Sequence, residues 1–289
     1  MKQSIIWVAS YPKSGNTMIR AFLSAYFFTK DGILSDFKPL QNITSFNNFS
    51  NYTNITSFPE LDYFKKNPEE ISKYWLINQE IINKNLKSDV IFYKTHNALI
   101  EKNSNYFTNN KQTKCFIYIV RDPRSVVISS KEHYGFGNYD EAIDVIISDK
   151  WMSYVTKKPN LLPEFILSWK TNFLSWQNYY ARNRNKGIIL RYEDLVNNTE
   201  KTLYLLVEFL TKHLDFSINV EKFNNSIKSI SFKKLKNMEQ EKGFDEKSKK
   251  TKNFFRKGKT DEWNNFLTTD QISKIIKNFK KEMTYLNYI

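Results

Sequence analysis

Apolar and polar residues fall along this chain in blocks of two kinds. Four short runs, Ile5–Ala9, Val90–Lys94, Cys115–Val120 and Gly187–Tyr192, are rich in β-branched and aromatic residues and read as buried strands. Between them lie longer segments with helical spacing. Ile19, Phe22, Leu23, Tyr26 and Phe27 form one such stripe, and Pro68–Asn85, Ser125–Ser130 and Thr269–Met283 carry others. In Phe165–Ala181 the residues Trp169, Phe173 and Trp176 share a face. Strands that alternate with helices imply an α/β class: three layers, with a central, mostly parallel sheet flanked by helices. Ligands of such sheets sit at the carboxyl ends of the strands. Each predicted strand ends in polar or charged residues, namely Ser10–Lys13, Lys94–His96, Arg121–Arg124 and Arg191–Asp194.

Two segments break the pattern. Asp36–Pro59 is rich in Asn, Ser, Thr and Phe without a period, and reads as a substrate-side loop or an irregular lid. Ser229–Lys259 turns strongly basic, and a basic loop of that length inside a domain is expected to be functional or disordered. No repeat or linker demands a division, so residues 1–289 are expected to form a single domain.

Composition narrows the class. Of 289 residues, 40% are hydrophobic and 16% aromatic, which supplies a sizeable core and excludes a disordered chain. The formal net charge of +14 favours a polyanionic or multiply phosphorylated partner, while a Lys-rich solubilising surface explains it equally well. The one cysteine, Cys115, lies in an apolar run and reads as a buried strand thiol. The apolar run after Lys2 is too short for a signal peptide, and no stretch approaches membrane-spanning length, so a cytoplasmic protein without a membrane span is expected.

The chemistry begins at Tyr11–Thr17, where a strand enters a small-residue loop and then a helix. Backbone N–H groups of a first helical turn, at the positive end of the helix dipole, cradle a phosphate. Ser14, Gly15, Asn16 and Thr17 line that turn, and Lys13 adds a cation. The loop is P-loop-like but not a Walker A loop, whose Lys directly follows Gly and precedes Ser or Thr. Here Lys13 comes two residues before Gly15.

Six segments, in order along nearly the whole chain, resemble the cytosolic-type sulfotransferases. These enzymes move a sulfuryl group from 3′-phosphoadenosine 5′-phosphosulfate (PAPS) to a hydroxyl or amine. YPKSGNT (Tyr11–Thr17) resembles the family's 5′-phosphosulfate loop, YKTH (Tyr93–His96) its catalytic segment, and YIVRDPRSVVIS (Tyr118–Ser129) its 3′-phosphate motif. RYED (Arg191–Asp194), Ser231–Phe232 and FFRKG (Phe254–Gly258) resemble the remaining elements.

The resemblance implies a role for each matched residue. Lys13 stabilises the departing phosphate, His96 is the general base, and Lys94 is a second cation toward the transferring group. Arg121 and Ser129 grip the 3′-phosphate, and Phe255, Arg256, Lys257 and Gly258 close over it. Tyr192 bonds the adenine, while Phe232, beside Ser231, stacks on it. PAP is the product, the acceptor is a small molecule, and no metal and no nucleic acid is required.

Three departures stand out: Met18 where the family has an adenine-stacking Trp, Asn16 for its first Thr, and Asn264, Thr269 and Ser273 in its dimer motif. Monomer and homodimer both remain open. Two rival readings are a P-loop nucleotide kinase or hydrolase, against which the lysine order argues, and a non-catalytic basic nucleic-acid-binding protein. The second fits the charge but does not require the strand-end constellation.

Overall fold

The computed structural model describes residues 3–153, 160–247, 253–255, 258 and 260–289. In chain order they form β1 (Ile5–Ser10), α1 (Asn16–Phe28), β2 (Thr44–Ser45), α2 (Tyr63–Lys66), α3 (Trp75–Asn85), β3 (Ile91–Thr95), β4 (Glu101–Lys102), β5 (Asn105–Tyr106), β6 (Thr113–Val120), α4 (Pro123–Tyr134), α5 (Tyr139–Ile147), α6 (Trp169–Arg182), β7 (Gly187–Arg191), α7 (Tyr192–Asn197), α8 (Thr199–Thr211), α9 (Val220–Ser229), α10 (Phe232–Lys242) and α11 (Thr269–Tyr285), with short 3-10 turns between. All four sequence-predicted strands are present, as β1, β3, β6 and β7, displaced by a residue or two. Two compact units divide the chain. One comprises Met1–Tyr11, Ile43–Tyr118 and Ser148–Ile189, the other Pro12–Asn42, Ile119–Ile147 and Leu190–Ile289.

The first unit holds the sheet except for the last two residues of β6 and of β7, which fall in the second. Its order is β2-β3-β1-β6-β7, non-sequential as crossover connections require. β1 and β3 run parallel with Ile5 opposite Ile91 and Ala9 opposite Thr95, while β2 runs parallel to β3 with Ser45 opposite Lys94. This is the α/β class that the alternation predicts. Every residue of β1 is buried, as expected of a central strand covered on both faces. Trp7 anchors the core, its ring centroid 5.0 Å from that of Phe46 and 5.1 Å from that of Phe107, and its indole N–H donates to Thr113 Oγ1 at 2.9 Å. On α6, Trp176 packs 5.2 Å from Phe116 of β6.

The irregular segment expected as a substrate-side loop or lid departs from that reading from Ile43 onward. Ile43, Phe46, Tyr52 and Ile55 are buried, and β2 extends the sheet. Phe46 is therefore a core residue. Cys115 is buried as expected, and that burial pushes its thiol pKa up to about 12.

The second unit is helical. α1 buries Ile19, Phe22, Leu23 and Tyr26, the predicted stripe, and Phe22 meets Phe223 of α9 edge-on at 5.9 Å. The basic segment expected as a functional or disordered loop contains α10, in which Leu235, Met238 and Glu239 are buried while Lys233 and Lys234 face water. Two buried apolar residues per two turns give that helix its inward face, a signal the lysines around them mask. α11 opens with a reciprocal cap between Thr268 and Gln271.

Candidate active site

Two groups of predicted residues come together, one in each unit. In the second unit, the loop after β1 turns through Lys13 at φ +68° and Gly15 at φ +101°. A Cβ on Gly15 would lie 2.5 Å from Cδ2 of Tyr192, so both the backbone conformation and the close ring demand glycine. Gly15, not Thr17, is the N-cap of α1, and no side chain caps the helix. The Met18 N–H turns back to the Gly15 carbonyl at 3.0 Å, so the first turn is closed by backbone and not by a side chain. Ser14 is fully buried, and its hydroxyl has no hydrogen-bond partner. An orphaned buried hydroxyl beside an uncapped helix start is what a phosphate or sulfate site offers. Asn16 and Thr17 are also buried there, and Met18 is half-buried.

Arg121, at the end of β6, donates through Nη1 to the Lys13 carbonyl at 3.1 Å, and its guanidinium lies 4.2 Å from the centroid of the Tyr192 ring. Its neighbour Asp122 is paired with Arg124 at 2.6 Å and N-caps α4. Glu193 braces the strand ends: one carboxyl oxygen accepts from Asp122 N at 3.1 Å, the other from the Tyr288 hydroxyl at 2.9 Å. Burial raises the pKa of Glu193.

Lys13 Nζ lies 4.5 Å from the centroid of Phe254. The backbone N–H groups of Phe254 and Phe255 both donate to the buried Glu239, at 2.6 and 2.9 Å. Phe255 itself turns away to stack on Phe37, with centroids 6.0 Å apart and planes at 9°. Gly258 takes φ +63°, and a Cβ there would meet Phe232 Cδ2 at 2.6 Å, which brings a residue expected at the 3′-phosphate against one expected at the adenine. Ser129 is half-buried on α4, and Ser231 N-caps α10 without a side-chain bond. Arg256 and Lys257 lie outside the described residues.

In the first unit, the β1–β3 register carries Ser10 to the level of His96. The imidazole Nδ1 lies 2.8 Å from the Ser10 carbonyl and 3.2 Å from its hydroxyl. A carbonyl only accepts, so the neutral ring carries its proton on Nδ1 and its lone pair on Nε2, the form a general base needs. The turn is held from behind. Glu164 Oε1 accepts the His96 backbone N–H at 2.7 Å and the Thr95 hydroxyl at 3.3 Å, and Asn172 Nδ2 donates to the His96 carbonyl at 3.0 Å. Burial raises the pKa of Glu164, against the opposing effects of the His96 N–H and the nearby charge of half-buried Lys94. The Trp151 ring lies tilted against that of Tyr11, centroids 5.5 Å apart. His133 and His213 are half-buried among aromatic rings.

Sequence reasoning missed Glu164, Asn172, Glu239 and Phe254 as site-supporting residues. Glu164 had a signal, being the lone charge in the apolar run Leu161–Leu167. Phe254 sat inside a quoted motif, whereas Glu239 is one charged residue in a charged helix and gives no sign of its role.

A conserved-domain model described as a sulfotransferase domain matches residues 3–287, and the chain belongs to that family of enzymes. Cytosolic sulfotransferase 17 of Arabidopsis thaliana is 24% identical over 297 residues, covering 93% of this chain and 71% of the relative. Sulfotransferase 2A1 of Macaca fascicularis is 27% identical over 179 residues, 59% of this chain and 56% of that one. Among solved structures, mouse sulfotransferase SULT7A1 complexed with PAP shares the fold at a TM-score of 0.60 and 19% identity, covering 98% of this chain and 84% of its own. Retinol dehydratase in complex with androsterone and PAP matches at 0.62 and 18%, covering 98% and 81%. The kinase and nucleic-acid readings give way to the family assignment. Among the described residues, no helix is long and apolar enough to cross a membrane.

Proposed function

We propose that this chain transfers the sulfuryl group of PAPS to a hydroxyl or amine of a small acceptor. The observation that carries this is the buried, unpartnered Ser14 hydroxyl beneath the uncapped start of α1, flanked by Lys13 and Arg121. Such a cradle suits a dianionic tail, and the cofactor seen with the structural neighbours has one. When bound, PAPS supplies an electrophilic sulfur and a phosphoadenosine leaving group.

The chain's residues divide the remaining work. Ser14, Gly15, Asn16 and Thr17 donate to the 5′-phosphate, with Met18 along the adenine side. The Lys13 ammonium neutralises charge on the departing oxygen, for which single well-placed donors are worth about 10²–10³ in rate. Arg121 and Ser129 hold the 3′-phosphate with Arg256, Lys257 and Gly258, while Tyr192, Ser231 and Phe232 frame the base. Nε2 of His96 accepts the acceptor's proton as the oxygen attacks, and Lys94 screens the transferring group. No step calls for a metal. The two compact units act as one sulfotransferase domain in this reading, in the cytoplasm.

Thermal-shift titration tests the proposal without knowledge of the acceptor. PAP is expected to raise the melting temperature well beyond equal concentrations of ADP or ATP, because only PAP engages the 3′-phosphate residues. Equal shifts, or none, overturn it.

A further inference from the structure

Glu164 is a fully buried carboxylate that the proposed chemistry does not consume. Its main chain is fixed in place: Glu164 N donates to Ser153 Oγ at 2.8 Å, and the Glu164 carbonyl accepts from Ser153 N at 2.9 Å. The next residue, Phe165, exchanges bonds with the turn itself, its N–H reaching Asn97 Oδ1 at 2.8 Å and its carbonyl accepting Ala98 N at 2.8 Å. From this anchored backbone the carboxyl reaches the N–H of His96 and the hydroxyl of Thr95. An apolar side chain would fill the same space at lower desolvation cost. What it cannot do is hold the His96 N–H.

We propose that Glu164 is a positioning residue, holding the turn after β3 so that His96 Nδ1 stays on the Ser10 carbonyl and the ring keeps its lone pair on Nε2. The argument rests on the proposed sulfuryl transfer only for why that tautomer matters. The geometry stands on its own. Asn172 grips the His96 carbonyl from α6, so the peptide on either side of His96 is fixed, while Nδ1 of the ring meets the carbonyl and hydroxyl of Ser10. Release of the N–H lets the turn rotate, and the Nδ1 to Ser10 bond, which depends on direction, is lost first.

The chain has three histidines, which makes ring nitrogen NMR a direct readout, with His96 assigned from His96→Ala and His133 and His213 as internal controls. In the wild type the His96 ring is expected in the Nδ1–H form. Glu164→Gln keeps an oxygen for the N–H and should preserve that form. Glu164→Leu should shift the ring toward the mixture of a free imidazole, leaving His133 and His213 unmoved. Glu164→Asp, which withdraws the carboxyl by one carbon, should shift it the same way and guards against a Leu variant that fails to fold. An unchanged His96 tautomer in either the Leu or the Asp variant overturns the proposal, as does an equal disturbance of all three histidines. With PAPS and an acceptor turned over by the wild type, Glu164→Leu should also lose about 10–100-fold in kcat with KM for PAPS within about twofold. Absence of any PAPS-dependent transfer by the wild type would instead count against the proposed function, with the NMR result still deciding the role of Glu164.

Discussion

The loop after β1 and the turn after β3 follow adjacent parallel strands, yet they are built on opposite plans. In the proposed function the main chain after β1 does the work: two residues at positive φ lead into a helix with no side-chain cap, and the side chains of Lys13 and Ser14 add a cation and a hydroxyl. After β3 the main chain is the thing held, gripped by the side chains of Glu164 and Asn172, and in the proposed function one imidazole does the chemistry. A site made of backbone tolerates many side chains but few conformations. A site made of one side chain tolerates neither its loss nor its misplacement. The sharpest way to break the contrast is His96→Ala. Loss of a general base is expected to cost about 10²–10⁴ in kcat, with the PAP-induced thermal shift unchanged. If nucleotide stabilisation disappears along with turnover, His96 is a structural residue and the division of labour fails.

Gly15→Ala attacks the backbone plan in the same way. The new Cβ meets the Tyr192 ring at 2.5 Å while φ stays at +101°, and strain of this kind costs about 1–3 kcal/mol. Urea unfolding should register that loss, and the PAP shift should fall further because the cradle must open to relieve it. A variant as stable as the wild type, with an intact PAP shift, would mean that the loop is not locked by its glycine.

The same contrast explains what the sequence disclosed. The anion loop was legible because its requirements are local: Lys13, Ser14, Gly15 and Thr17 fall within five residues, between a strand and an amphipathic helix. The strands were legible for the same reason, since central parallel strands are apolar throughout. The support of His96 was not, because Glu164 and Asn172 lie 68 and 76 residues away in sequence and only folding brings them to it. α10 was hidden differently. Its inward residues Leu235 and Met238 are outnumbered by lysines, and composition read the stretch as a loop. Phe255 was placed by motif position, yet its ring packs on Phe37 while its neighbour Phe254 meets Lys13. Motif spacing fixes which segment arrives, and local packing decides which side chain faces the site.

A smaller effect sharpens the comparison at its buried carboxyl. Burial raises the Glu164 pKa above its ordinary value of 4.5, with Lys94 and the His96 N–H pulling it back. A raised carboxyl pKa means that the folded state holds its proton longer than the unfolded chain does. The stabilising contribution is therefore complete below about pH 4.5 and lost as pH rises through the folded value. Glu164→Gln removes this one titration and leaves the raised Glu193 untouched. The stability of the wild type minus that of Glu164→Gln, from urea unfolding at matched pH, should thus decline as pH rises from 4.5 and then level off. One proton limits the slope to about 1.4 kcal/mol per pH unit. A difference that is flat with pH would show the carboxyl titrating normally, and one that grows with pH would show the His96 and Thr95 donors outweighing burial. In either case Glu164 would serve as an ordinary ionised acceptor, and the turn after β3 would be held by charge rather than by a buried, proton-retaining carboxyl.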